Sequence, residues 1–188
     1  MIAVIAAVCL QAPPPKEPAW SEPVGGLVGR VEMERRGEKG GTPKLVPYII
    51  LKNVTNTIGT VDVWLSSGNL ELHLVDAKGQ PIKVGPGAGP NGRNGFIPKS
   101  FWLLIPFDSS VRINAGLEGY FTREVGSLLM ETDSGMLFLP KAYTREAYVA
   151  GTFTVNGAPI EARSMRWEGK IELPKVKVWD GKKVVAIN

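Results

Sequence analysis

Residues 61–84, VDVWLSSGNLELHLVDAKGQPIKV, decide the fold class. Val61, Val63 and Leu65 alternate with Asp62 and Trp64. Four polar or small residues later, Leu70, Leu72 and Leu74 alternate with Glu71, His73 and Val75. A period of two sends successive side chains to opposite faces of an extended chain, so each run has one apolar face to bury. Residues 77–80 then read as a turn into a further short run, Ile82 to Val84. Two strands and two turns within 24 residues leave no room for a helix.

The same rhythm extends both ways. Upstream, Leu27, Val31 and Met33 share a face while Arg30, Glu32 and Glu34 take the other. Residues 36–42, with three glycines, form a turn, and 45–51 is an apolar run suited to a central strand, with Pro47 near its start. Downstream, residues 85–95, GPGAGPNGRNG, make a long polar loop. Residues 101–107 and 111–115 are strand-like, and 116–141 are the least legible stretch, where 127–131 suit a helical turn. Ala147, Val149, Phe153 and Val155 mark another strand before an Asn156-Gly157 turn. Segments 164–173, 175–179 and 182–187 close the chain, the last two joined by Asp180-Gly181. The expectation is an all-β chain of about nine short strands with at most short helical turns, as a sandwich more than a closed barrel.

Composition agrees. Of 188 residues, 22 are glycine and 15 proline, roughly a fifth of the chain where an eighth is usual. Hydrophobic residues make up 44% and charged ones 21%, which excludes a long coiled coil and a disordered chain. The length suits one domain with an N-terminal extension. Residues 1–12, MIAVIAAVCLQA, resemble the apolar core and cleavage region of a secretory signal, or a lipoprotein segment ending in Cys9. Residues 13–23, PPPKEPAWSEP, hold five prolines and suit an extended stalk, with the domain proper at 24–188. This order predicts an exported protein (periplasmic, cell-surface or extracellular) that meets a membrane only through an N-terminal anchor, if Cys9 is lipidated. Cys9 is the single cysteine, so neither a disulfide framework nor a thiolate metal site is available to the domain.

Candidate chemistry is sparse. His73 is the only histidine and reads as a solvated strand residue, not as the base of a triad or a zinc ligand. Residues 87–92 match the spacing of a dinucleotide loop but lead to a strand instead of the helix that would hold a pyrophosphate. Glu32/Glu34 and Glu131/Asp133 read as solvated pairs, and Asn53-Val54-Thr55 satisfies the N-glycosylation pattern. No catalytic constellation, metal or cofactor is therefore expected. Residues 163–183 carry seven basic and three acidic side chains, a surplus equal to the whole net charge of +4. A hairpin at Asp180-Gly181 would project Lys175, Lys177, Trp179 and Lys182 from one face. Such a ribbon suits an anionic polymer; the competing expectation is that its lysines guard a sheet edge. Asn91, Arg93, Asn94 and Phe96 in the glycine-rich loop are the other candidate recognition residues.

Several stretches together resemble the Ig-like β-sandwich domains of uncharacterised exported bacterial proteins. They are the opening W-S-E-P-V-G-G-L at 20–27, the turn K-N-V-T-N at 52–56, the hairpin L-E-L-H-L-V-D-A-K-G-Q-P at 70–81, and the paired ends Y-V-A-G-T-F-T-V at 148–155 and W-E-G-K at 167–170. The resemblance implies an antiparallel Ig-like sandwich. It also implies a corner tyrosine, Tyr143 or Tyr148, whose hydroxyl bonds nearby backbone. A more distant similarity is to bacterial proteinase-inhibitor sandwich domains. The expected role is a non-catalytic exported module for binding or structure, its partner a protein or glycan at the cell envelope and not a nucleic acid. The alternatives are a protease-inhibitor-like module acting through an exposed loop, and a hydrolase with an unrecognised site.

Overall fold

The structure, a computed structural model, describes residues 18–36, 44–56, 58–66, 68–82, 100–114, 128–132, 135–139, 143–157, 166–182 and 185. The strands are β1 (Leu27–Arg36), β2 (Lys44–Asn53), β3 (Thr60–Leu65), β4 (Leu70–Val75), β5 (Phe101–Pro106), β6 (Ser110–Asn114), β7 (Leu128–Thr132), β8 (Gly135–Leu139), β9 (Glu146–Val155), β10 (Arg166–Trp167) and β11 (Gly169–Asp180). No helix occurs among the described residues. The helical turn expected at 127–131 is instead strand β7, paired antiparallel with β8 across a short connection.

The chain is all-β. Among the described residues nine strands form three three-stranded sheets, ordered β1-β2-β6, β10-β3-β5 and β11-β9-β4, with β7-β8 as a separate hairpin. Three small sheets stand where a clear two-sheet Ig sandwich was expected, and the β10–β3 pair is parallel. Two breaks in the chain account for the division. Between β5 and β6 a tight turn, with Ser109 N donating to Pro106 O and Asp108 at φ 51°, carries the chain from one sheet to another. At Glu168, β10 leaves β3 and β11 begins its ladder with β9.

One apolar core is shared by all three sheets, and the alternation read from the sequence supplies it. Leu27, Val31 and Met33 of β1, Val61, Val63 and Leu65 of β3, Leu72 and Leu74 of β4, and Ala147, Val149, Phe153 and Val155 of β9 are all buried there. β9 alternates without a fault along its ten residues and lies between β4 and β11. Its Gly151 is required by a close approach, because a Cβ would sit 2.3 Å from Glu71 O on β4. β2 is central, as expected, and among the described residues Pro47 lies just beyond its ladder with β6, opposite Met33 of β1. Pro174 is absorbed differently: a register shift between Leu173 and Val176 lets β11 run through it, joining two segments expected to be separate.

The stretches that carried the family resemblance meet in space. Trp167 Nε1 donates to Val24 O at 2.8 Å, its ring stacks on Phe153 at 5.9 Å, and it lies against Gly25. Trp20 lies under the Arg30 guanidinium at 4.4 Å, and Ser21 exchanges two hydrogen bonds with Gly29. The end of the proline-rich segment is thus bonded to β1, while residues 1–17 lie outside the described residues.

Candidate functional site

Asn53 ends β2 and is fully buried, so its amide must find partners inside the protein. Its Nδ2 donates to Ile105 O of β5 at 3.0 Å, and its Oδ1 accepts from Thr55 N at 3.0 Å and Thr55 Oγ1 at 2.7 Å. Its backbone N–H donates to Ser109 O. One side chain therefore ties the end of β2 to the end of β5 and folds residues 53–55 into an Asx-type turn. Val54 N donates to Gly26 O at 2.8 Å, adding the turn before β1 to the junction. Gly26 is needed there: its φ is +79°, and a Cβ would lie 2.2 Å from Thr55 Cγ2. Lys52 and Asp108 close the outside with an ion pair at 2.7 Å.

This base carries apolar side chains outward. Ile58, in the β2–β3 connection, is 97% exposed, and Phe107, in the β5–β6 turn, is 44% exposed. Val54, in the turn at the end of β2, is also exposed. Thr60 pairs with Pro106 in the β3–β5 ladder, so the two connections emerge side by side at one end of the domain. This end offers apolar contact from a base whose buried amide makes its hydrogen bonds inside the protein. Asn53, the first residue of the glycosylation pattern, has its amide buried and bonded in the folded chain.

The basic strand is arranged differently from its expected form. Lys175 and Lys177 both approach Tyr148 on β9, their Nζ atoms 4.9 and 5.9 Å from the ring centroid. Lys175 donates to Ala77 O at 2.5 Å, and Lys177 is ion-paired with Glu146, which also accepts from Tyr148 OH at 2.7 Å. The Lys177 hydrogen bond, with that from Tyr148, holds the Glu146 carboxyl below its ordinary value. The same carboxylate raises Lys177 and Tyr148 above theirs. Trp179 does not join this face. A second register shift, between Lys177 and Trp179, turns it inward; it is 5% exposed and its Nε1 donates to Tyr143 O at 3.0 Å. Lys182 is exposed, beyond the turn that Asp180 Oδ1 closes by accepting from its N–H at 2.9 Å. The four residues expected on one face are thus two on a face, one in the core and one in a turn.

Of the tyrosines expected at a corner, Tyr143 bonds backbone, its hydroxyl donating to Glu146 O at 3.4 Å, whereas Tyr148 bonds the Glu146 side chain. Glu32 and Glu34 are engaged by Arg112, at 3.5 and 2.8 Å. His73 is half-buried opposite Ala150. Asn91, Arg93, Asn94 and Phe96 lie outside the described residues, as do the glycine-loop match at 87–92 and the side chains of Glu131 and Asp133. Among the described residues no cluster of three His, Cys, Asp or Glu side chains could hold a metal ion.

Comparison with family models, with curated proteins and with solved structures finds no match for this chain.

Ile58 escaped sequence reading. It belongs to no alternating run, so no local pattern sets whether its side chain is buried or exposed. The available signal was its setting, one aliphatic between Thr57 and Gly59 in an otherwise polar turn.

Proposed function

We propose that this chain is a non-catalytic, exported binding or structural module on an Ig-like plan, and that it meets an envelope protein or glycan with the end of the domain that carries Ile58. The observation behind this reading is a nearly fully exposed isoleucine on a loop whose base is bonded at Asn53, Val54 and Thr55. Leaving an aliphatic side chain in water forgoes about 1.5–3 kcal/mol that burial would return. A base already bonded at residues 53–55 in the free protein lowers the entropy lost on contact, so more of that gain reaches the affinity. The test compares wild type with Ile58→Asp as immobilised baits for solubilised envelope material. Species retained by wild type should be lost from the variant, and identical retention would sink the reading. Export is tested separately, by N-terminal sequencing of the mature protein, which should begin near residues 10–16 or carry a lipid-blocked Cys9.

The same loop favours a second reading, the protease-inhibitor-like module. An inhibitor must present a side chain to an enzyme cleft from a loop that resists rearrangement, and the Asn53 junction supplies such a base. Inhibition of a protease in a panel assay, lost with Ile58→Asp, would favour this reading; inactivity against every enzyme would exclude it.

A further inference from the structure

Residues 20–24, the last part of the proline-rich segment and the start of the domain, lie along β1 as a strap. Ser21 N donates to Gly29 O at 2.9 Å, and Gly29 N donates back to Ser21 Oγ at 2.9 Å. Val24 and Leu27 exchange backbone bonds at 2.9 and 3.0 Å across Gly25-Gly26, whose positive φ values, 55° and 79°, suit a tight hairpin turn. Glu22 and Pro23 between these anchors are exposed, so the strap is held at its two ends.

Val24 O accepts a second time, from Nε1 of the buried Trp167 at 2.8 Å. Gly26 O, in the same turn, accepts from Val54 N at 2.8 Å, the bond that ties the turn to the Asn53 junction. One pair of glycines therefore positions both carbonyls. Glycine loses more backbone freedom on ordering than any other residue, so the pair keeps its shape only while its neighbours fix it. Trp167 and β1 do so on the strap side, and Val54 does so on the junction side. Freeing one side returns freedom to the turn and weakens the other.

We infer that the strap and the Asn53 junction open and close as one unit. Whatever detaches residues 20–24 then also loosens residues 53–55, the base of the connection that carries Ile58. Load or a partner on the proline-rich segment thereby acts on that connection without touching it. The coupling belongs to the free chain and needs no partner at Ile58, so it stands or falls apart from the binding reading.

Amide hydrogen exchange of the full chain over a low-denaturant series, read residue by residue, tests it. In wild type the amides of Ser21, Gly29 and Val54 should exchange through one shared opening, with equal denaturant dependence and ahead of global unfolding. Ser21→Ala removes the Oγ that accepts from Gly29 and should speed Gly29 and Val54 alike, by about fivefold for one hydrogen bond. Coupling is reciprocal, so Thr55→Val, which deletes the hydroxyl that donates to Asn53 Oδ1, should speed Ser21 and Gly29 too. Lys78 and Gln80, bonded in the turn after β4, should keep their rates in both variants. A Val54 amide unmoved by Ser21→Ala would overturn the inference. So would a wild-type chain in which Val54 exchanges only with global unfolding, whether or not Ser21 and Gly29 open earlier, a readout that stands even if a variant misfolds.

Discussion

The Asn53 junction and the Tyr148–Lys177 cluster contain similar numbers of polar contacts and differ in what surrounds them. Asn53 is sealed from water and bonds the end of β2 to β5 and to the β5–β6 turn, while the adjacent Val54 N–H adds the turn before β1. Glu146, Tyr148 and Lys177 bond across two neighbouring strands at the surface, where water replaces any bond that is lost. Removing a partner in the first leaves buried groups unsatisfied, whereas in the second it leaves them hydrated.

Substitutions can break this comparison. Asn53→Ala strands the Ile105 carbonyl and the Thr55 N–H, and should cost about 2–4 kcal/mol by denaturant unfolding. A loss no larger than that of the surface variants would show that water enters the junction. Gly26→Ala meets a positive φ and the Thr55 methyl group together, and should cost about 1–3 kcal/mol. Gly79→Ala, also at positive φ but with open space around it, sharpens the point by isolating the backbone part and should cost less. Trp179→Phe deletes the bond to Tyr143 O and leaves a smaller ring in the core, a combined loss of about 1–2 kcal/mol.

The surface cluster should give the smallest effects. Glu146, lowered, contributes stability present above its ordinary value near 4.5 and lost as pH falls through its folded value. Lys177, raised, contributes stability present below its ordinary value near 10.5 and lost as pH rises through its folded value. Lys177→Gln should therefore slightly flatten both the acid and the alkaline flank of a melting-temperature profile, and hardly change its centre. Because Lys175 and Lys177 already face acceptors, replacing them and Lys182 with Gln should shift elution from an anionic matrix only slightly. A large shift to lower salt would restore the basic strand as a contact surface.

Local pattern made much of this fold legible. The buried faces of β1, β3, β4 and β9 follow from a period of two. The D-A-K-G-Q turn follows from the capacity of one carboxylate to accept from Lys78 N and Gln80 N, bonds that hold Asp76 below the ordinary carboxylate range, the Gln80 bond foremost. The β11 region was legible only in part. Lysines alternating with valines predict one face, but each register shift reverses the facing of everything after it, and a shift depends on the partner strand. For the same reason Trp179, read as part of a basic ribbon, belongs to the core. The candidate site was the least legible part, because Gly26, Asn53 and Ile105 are distant along the chain and only folding makes them one junction.

By itself the sequence determined that this chain is all-β, which residues of its regular strands turn inward, and where the turn after β4 lies. Each of those depends on side chains within a few positions of one another. Tertiary structure decided the grouping into three small sheets, the inward turn of Trp179, the burial of Asn53 and the exposure of Ile58. Each of those depends on which strand lies alongside, and contacts between distant segments leave no period in the sequence.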